Sequence, residues 1–320
     1  MEVSPARIVY GPVPSRRLGR SLGIDLLPMK TCSYDCVYCQ LGPTVKTRIR
    51  RSAFRSPQEV LWAVERVLER ETEVDVLSLS GSGEPTLDLN VGKTIRALKG
   101  AFGLPVAVLT NGSLLYRKAV REELGAADLL LPSLDGWTEA MFRRVNRPHP
   151  SLQLEPILEG LVWLRKEFKG EIWLEVLLVQ GLNDDPQELP GLIRWINKIS
   201  PDRIHLNTVT RPPARSWVRA PDRERLEEFR SALGPRAEIV ASFRATAERA
   251  SLGDLEQRVA RTVLRRPLCA EDVCSLFGME LEQARMLLEK LACENSWLTE
   301  SVGGKTFYKS SMALPEEAGR

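Results

Sequence analysis

Three cysteines stand together as Cys32-Ser-Tyr-Asp-Cys36-Val-Tyr-Cys39. Thiolates are the usual ligands of iron–sulfur clusters, and a cubane cluster offers four irons. Three cysteines leave one iron without a protein ligand, and such an iron can bind and activate a small molecule. A fully ligated cluster passes only electrons. Two other uses of the thiols fit less well. A disulfide needs an oxidising compartment. A structural zinc site wants four ligands, commonly as paired C-x-x-C knuckles, and the chain's two histidines, His149 and His205, are far away in sequence. Cys269, Cys274 and Cys293 fall within helical patterns and read as small core residues.

The run C-x-x-x-C-x-aromatic-C, with Tyr38 in the aromatic place, resembles the radical SAM superfamily. The resemblance implies that Cys32, Cys36 and Cys39 hold a [4Fe–4S] cluster. It implies that S-adenosylmethionine chelates the fourth iron through its amino and carboxylate groups. Reductive cleavage then yields a 5′-deoxyadenosyl radical that abstracts hydrogen from a substrate, and an external flavodoxin- or ferredoxin-like donor supplies the electron. Gly83-Glu84-Pro85 matches the superfamily's GEP motif. By resemblance that segment meets the methionine amino group, Tyr38 the adenine, and Ser133 and Asp135 the ribose and carboxylate. Asn111 suits cofactor or substrate, or merely an Asn-Gly turn. Ahead of the cysteines, Gly11-Pro-Val-Pro-Ser15-Arg16-Arg17-Leu-Gly19-Arg20-Ser21 resembles a subgroup related to the wyosine-synthesis enzymes of tRNA. Those enzymes carry a further cysteine set upstream, whereas Cys32 is the first cysteine here.

The elements that must position these groups follow from periodicity. Apolar runs predict strands over 22–27, 74–80, 105–109, 128–132, 172–179 and 204–209. Several are continuous in Val, Leu and Ile, as strands buried on both faces are. Helical patterns fall between them over 57–70, 91–101, 115–124, 154–168 and 186–198. Alternating strand and helix predict a parallel sheet, and the resemblance makes it an α/β partial (βα)6 TIM-type barrel. Each strand ends in a polar or glycine-rich cluster, where parallel barrels place their active sites. Arg16, Arg17 and Arg20 ahead of the cysteines, with Arg211 after the last strand, are candidate holders of an anionic substrate. Asn183 is a weaker candidate on the same rim. Lys46, Arg48, Arg50, Arg51 and Arg55 form a second basic run, read as solvated surface or an RNA or phosphate contact.

Beyond about residue 245 the pattern changes to helices over 255–265, 270–277 and 281–292 and a hairpin around Gly303-Gly304. Three helices and a hairpin predict a winged-helix-like α+β domain over 246–312, after a barrel with an N-terminal basic loop over 1–245 and before a disordered tail over 313–320. Asp254 to Lys309 carries eight Lys/Arg and nine Asp/Glu. A near-neutral module lacks the electrostatic term that drives nucleic-acid binding, which argues against sequence-specific DNA recognition and leaves RNA or a protein open as substrate. The whole chain has 320 residues, 43% hydrophobic and 27% charged, with net charge +3. Those values describe an ordinary globular protein. With neither a signal-peptide pattern nor a membrane-length apolar run, the expected location is the cytoplasm. The alternative to an enzyme is an iron–sulfur redox sensor whose winged helix binds nucleic acid.

Overall fold

A computed structural model describes residues 8–15, 17–70, 73–240 and 255–311. Arg16, the junction near residue 245 and the tail over 313–320 lie outside the described residues.

The parallel strands are β2 (Gly19–Ile24), β3 (Val76–Leu79), β4 (Val106–Thr110), β5 (Leu129–Pro132), β6 (Glu171–Leu178), β7 (Arg203–Thr208) and β8 (Ala237–Ile239), preceded by β1 (Val9–Ser15). They pair in chain order into one eight-stranded sheet, β1 antiparallel to β2 and all other neighbours parallel. This is the partial barrel, extended by one strand at each end. Helices α1 (Pro57–Leu68), α2 (Val91–Phe102), α3 (Lys118–Leu124), α4 (Glu139–Val145), α5 (Leu154–Glu167), α6 (Leu189–Ile199) and α7 (Arg223–Leu233) follow strands β2 to β7, with both α4 and α5 after β5. Helix α1 starts at a capping box in which Ser56 and Glu59 satisfy each other's backbone N–H groups, with Pro57 next. It buries Val60, Ala63 and Val64 against the sheet.

Alternation along each strand divides the core. Leu22, Ile24, Leu77, Leu79, Val106, Val108 and Leu130 pack outward into the main helix-covered core. Val76, Ala107 and Leu131 face the concave side and meet Leu18, Leu109, Leu129 and Trp173.

Residues 10–15 and 17–21, expected as part of a basic loop, belong to the β1–β2 hairpin instead. The edge strand tolerates Pro12 and Pro14 because it lacks one neighbour. Tyr10 lies flat against Gly23, where a Cβ would run into the phenol ring.

The C-terminal segment contains α8 (Leu255–Val263), α9 (Ala270–Phe277), α10 (Leu281–Asn295) and the hairpin β9 (Leu298–Val302)–β10 (Lys305–Lys309). Its own core gathers Val259, Val263, Leu268, Val273, Phe277, Leu288 and Tyr308. Cys269 is buried and Cys274 half-buried, but Cys293 is exposed, contrary to its reading as a core residue. It occupies the solvent face of α10, while Ala284, Leu288 and Leu291 take the inner face. Among the described residues no helix is long and apolar enough to cross a membrane.

Candidate active site

The cysteine loop leaves β2 and is pinned from several sides. Asp35 accepts the Thr44 N–H at 2.6 Å and pairs with Arg147 at 3.3 Å and Arg215 at 2.7 Å. The Asp35 and Val37 N–H groups donate to carbonyls of Asn146 and Val145 at the end of α4. Tyr34 meets Phe142 of α4 edge-on at 5.4 Å, and the Arg48 N–H donates to the Cys32 carbonyl at 2.9 Å. One side of that support is α4, a helix absent from the sequence expectations.

Each thiol sulfur accepts one N–H group. Lys30 Nζ donates to Cys39 Sγ at 3.2 Å, Asn111 Nδ2 to Cys32 Sγ at 3.5 Å, and Asn146 Nδ2 to Cys36 Sγ at 3.5 Å. Such bonds stabilise thiolate charge and tune a cluster's potential. Burial, with Glu84 adding to it, pushes the Cys32 thiol up to about 12, and burial pushes Cys36 well above its ordinary value. Ligation has to displace those protons. Among the described residues no group of three or more His, Cys, Asp or Glu is gathered about a single metal ion. A cubane gives each thiolate its own iron, so its ligands need not meet at one point. The donor set of three thiols, each with an N–H partner, fits such a cluster. The His149 N–H bonds to the Ser33 carbonyl at 2.9 Å, bringing that residue beside the loop, but its ring turns to Ser151.

The thiols open on a cavity of about 480 Å³, within the size range of small-molecule sites. Tyr38, Gly83, Glu84, Asn111 and Ser133 line it with the three cysteines. Glu84 is buried and well supplied with donors. Its Oε1 accepts from Thr86 N–H at 3.1 Å and from the Thr86 and Thr110 hydroxyls, each at 2.6 Å, while Oε2 accepts the Asn111 N–H at 2.6 Å. Burial still raises its pKa. An ammonium group arriving in the cavity would find a carboxylate already held in place.

Two members of the GEP segment serve the scaffold. A Cβ on Gly83 would fall on the Thr31 carbonyl oxygen and lie 2.7 Å from its carbon. The glycine thus makes room for the cysteine loop's own backbone while it also lines the cavity. Pro85 is buried as the first residue of a short 3-10 helix and does not line the cavity.

Asp135 also stands behind the cavity wall. It accepts from the Tyr38 hydroxyl, from Asn146 Nδ2 at 3.0 Å and from the Leu177 N–H at 3.0 Å. Burial lifts its carboxyl to about 6. Its contacts orient Tyr38 and Asn146. Asn183 is fully buried and braces the chain, donating to the carbonyls of Asp135 and Leu177 and accepting the Val179 N–H. It faces no cavity.

The arginine candidates divide. Arg17 enters the barrel and pairs with Glu175, which also accepts Asn207 Nδ2 at 3.1 Å. Arg20 points away from the cavity to Glu73 and Asp75. Arg211 lines the cavity and bonds to the Pro267 carbonyl and Asp272 of the C-terminal segment. In the second basic run, Arg51 is tied to Glu123 and to the carbonyls of Thr86 and Asp88, so it is structural. Lys30, Asn146, Arg265 and Arg266 were not foreseen. Only Lys30, two residues ahead of Cys32, had proximity in sequence to mark it.

A model of the radical SAM superfamily matches residues 26–195. A protein of Brachyspira hyodysenteriae named GTPase Obg is 34% identical over 303 residues, 94% of this chain. The chain spans only 45% of that relative's length. A UPF0026 protein of Helicobacter pylori strain J99 is 32% identical over 307 residues, covering 94% of this chain and 97% of that protein. Among solved structures, a radical SAM methyltransferase from Sphaerobacter thermophilus superposes with TM-score 0.55 over 69% of this chain and 66% of its own, at 17% identity. That likeness concerns the fold.

Proposed function

Because the chain belongs to the radical SAM superfamily, whose cofactors are a [4Fe–4S] cluster and S-adenosylmethionine, we propose that it is an enzyme with Cys32, Cys36 and Cys39 as the cluster's ligands. The observation that carries this reading is the shared cavity: three N–H-bonded thiols and the fully solvated-by-protein carboxylate of Glu84 face the same 480 Å³ space. Held by Cys32, Cys36 and Cys39, the cluster would supply the electron for reductive cleavage of S-adenosylmethionine and so the radical chemistry of the family.

The chain's residues bind and orient. Glu84 accepts the methionine ammonium, since its carboxylate is fixed by donors and has lone pairs to spare on Oε2. Asn111 and Ser133 supply neighbouring polar contacts. Tyr38 offers its ring to the adenine, held by Asp135 behind it. Lys30, Asn111 and Asn146 keep the thiolates hydrogen-bonded. An external flavodoxin- or ferredoxin-like protein delivers the electron.

A redox sensor has no use for a cavity of this size beside its thiolates. Nor does the C-terminal segment favour DNA. Arg265 and Arg266, two of its eight basic residues, turn inward to the cavity and to Asp25 and Asp272. The deciding experiment is anaerobic reconstitution, reduction with dithionite and chromatography for 5′-deoxyadenosine. The wild type should produce it and Cys36→Ala should not. An intact, reducible cluster that yields none would refute the enzyme reading.

A further inference from the structure

The cavity has two unlike walls. One carries the thiols and Glu84. The other is basic and comes partly from the C-terminal segment: Arg211 after β7, and Arg265 and Arg266 after the last turn of α8. The backbone N–H groups of Arg265 and Arg266 both return to the Thr262 carbonyl, at 3.0 and 2.8 Å, so the two side chains are presented from a fixed turn. All three are largely buried, with side-chain exposures of 12%, 7% and 15% for Arg211, Arg265 and Arg266.

Carboxylates brace these guanidiniums. Arg265 Nε meets Asp25 at 2.9 Å. Arg211 and Arg266 each reach the same oxygen of Asp272, Oδ1, at 3.3 Å. Two guanidiniums on one oxygen repel one another. Burial, then the charge of Arg211, lowers Arg266 to about 10. All three line the cavity, and guanidinium forks match phosphate and carboxylate oxygens, so an anion entering it meets donors of the right geometry.

We propose that Arg211 and Arg266, with Arg265 beside them, form an anion subsite of the active-site cavity, and that the substrate is a small organic molecule bound there by a phosphate or carboxylate group. The word substrate rests on the enzyme reading above; the subsite does not. A cavity of about 480 Å³ that also takes the cofactor leaves room for a metabolite-sized anion.

The test is calorimetric titration of the full-length, cluster-loaded protein with inorganic phosphate and separately with succinate, ionic strength being held constant with sodium chloride. Saturable one-site binding of phosphate, succinate or both is expected, and which of them binds identifies the anionic group. Arg211→Gln combined with Arg266→Gln should raise the dissociation constant about tenfold or more, the scale of one lost charge-assisted bond. Asp272→Ala should tighten binding, because it removes the competing charge without turning an amide NH2 against the two guanidiniums. A purely structural brace would give no saturable binding, and Asp272→Ala would then change stability alone. Failure of both anions to saturate the wild type, or binding that survives the double substitution, overturns the subsite. Stoichiometric displacement of phosphate by tRNA overturns the small-molecule assignment. None of these readings requires cleavage of S-adenosylmethionine, so the subsite and the enzyme reading can fail separately.

Discussion

Arg265→Gln tests whether the C-terminal segment is locked onto the barrel by a buried ion pair. Arg265 Nε lies 2.9 Å from Asp25 Oδ2, with side-chain exposures of 7% and 3%. The guanidinium also sits 5.1 Å from the Tyr10 ring centroid, a cation–π distance. Removing one partner of a buried pair costs about 3–5 kcal/mol, because the other charge stays behind without compensation. Asp25 would keep three donors: the Leu27 N–H at 3.3 Å, the Ser82 N–H at 3.2 Å and the Ser82 hydroxyl at 2.5 Å. Those bonds blunt the loss and place it at the lower end, about 3 kcal/mol. Asp25→Asn should cost less, since a guanidinium over an aromatic face tolerates loss of its counter-charge better than a buried carboxylate does. The double variant should be more stable than the sum of the single losses implies, with a coupling of about 2 kcal/mol. Anaerobic urea unfolding of the four proteins measures the cycle, and hydrogen exchange along α8 locates the loosening. A loss below about 1 kcal/mol for Arg265→Gln, or coupling under about 0.5 kcal/mol, would refute the lock.

Gly83→Ala should lower the iron bound per chain while leaving the far-UV spectrum native, because the new methyl displaces the Thr31 backbone; overpacking of this kind costs about 1–3 kcal/mol. Full iron loading would contradict it. Glu84→Gln should keep the cluster but weaken S-adenosylmethionine binding about tenfold, since an amide NH2 would face either the Asn111 N–H or the Thr86 and Thr110 donors; equilibrium dialysis with the cofactor decides. Burial lifts Asp135 to about 6, above the ordinary carboxyl value near 3.9. In that window the native state holds a proton that the unfolded chain has released, so this group's stabilisation is present in full below about pH 4 and lost as pH rises to about 6. Asp135→Asn should remove that slope from the thermal midpoint, and an unchanged slope would assign it elsewhere.

Much of the barrel was legible because buried parallel strands are written in continuous Val, Leu and Ile. The six expected strands became β2 through β7 with ends shifted by a few residues. β2 stops at Ile24 rather than 27, where Asp25 turns to Ser82 and Arg265. What escaped was short or polar. β8 has three residues, and α4 only seven. Helix α7 buries just Leu226 and Phe229, too few to show a period. β1 was hidden by Pro12 and Pro14, which speak against a central strand but not against an edge. At the site, residue types were readable and orientations were not. Asn183 and Asp135 carry the right chemistry for ligand contact, yet each spends its hydrogen bonds on the backbone or on a neighbour.

The deeper reason lies in how the cavity is assembled. Its lining runs from Tyr10 in the first described strand to Arg266 beyond α8. Asp25 makes the link: Ser82, at the end of β3, donates to it from one side and Arg265 from the other, 240 residues along the chain. Gly81 fits against the same carboxylate, where a Cβ would lie 2.6 Å from its carbon. One acidic residue thus holds the turn that leads into Gly83-Glu84 and the arginine that anchors the C-terminal segment. Displacing that segment leaves Asp25 buried with one partner fewer, next to the turn that positions Glu84. Asp25, which does not itself line the cavity, therefore ties the arginine on the basic wall to the turn that carries Glu84. No periodicity or motif in the sequence could have announced that connection, because it exists only once Asp25 and Arg265 have been brought together on the same barrel.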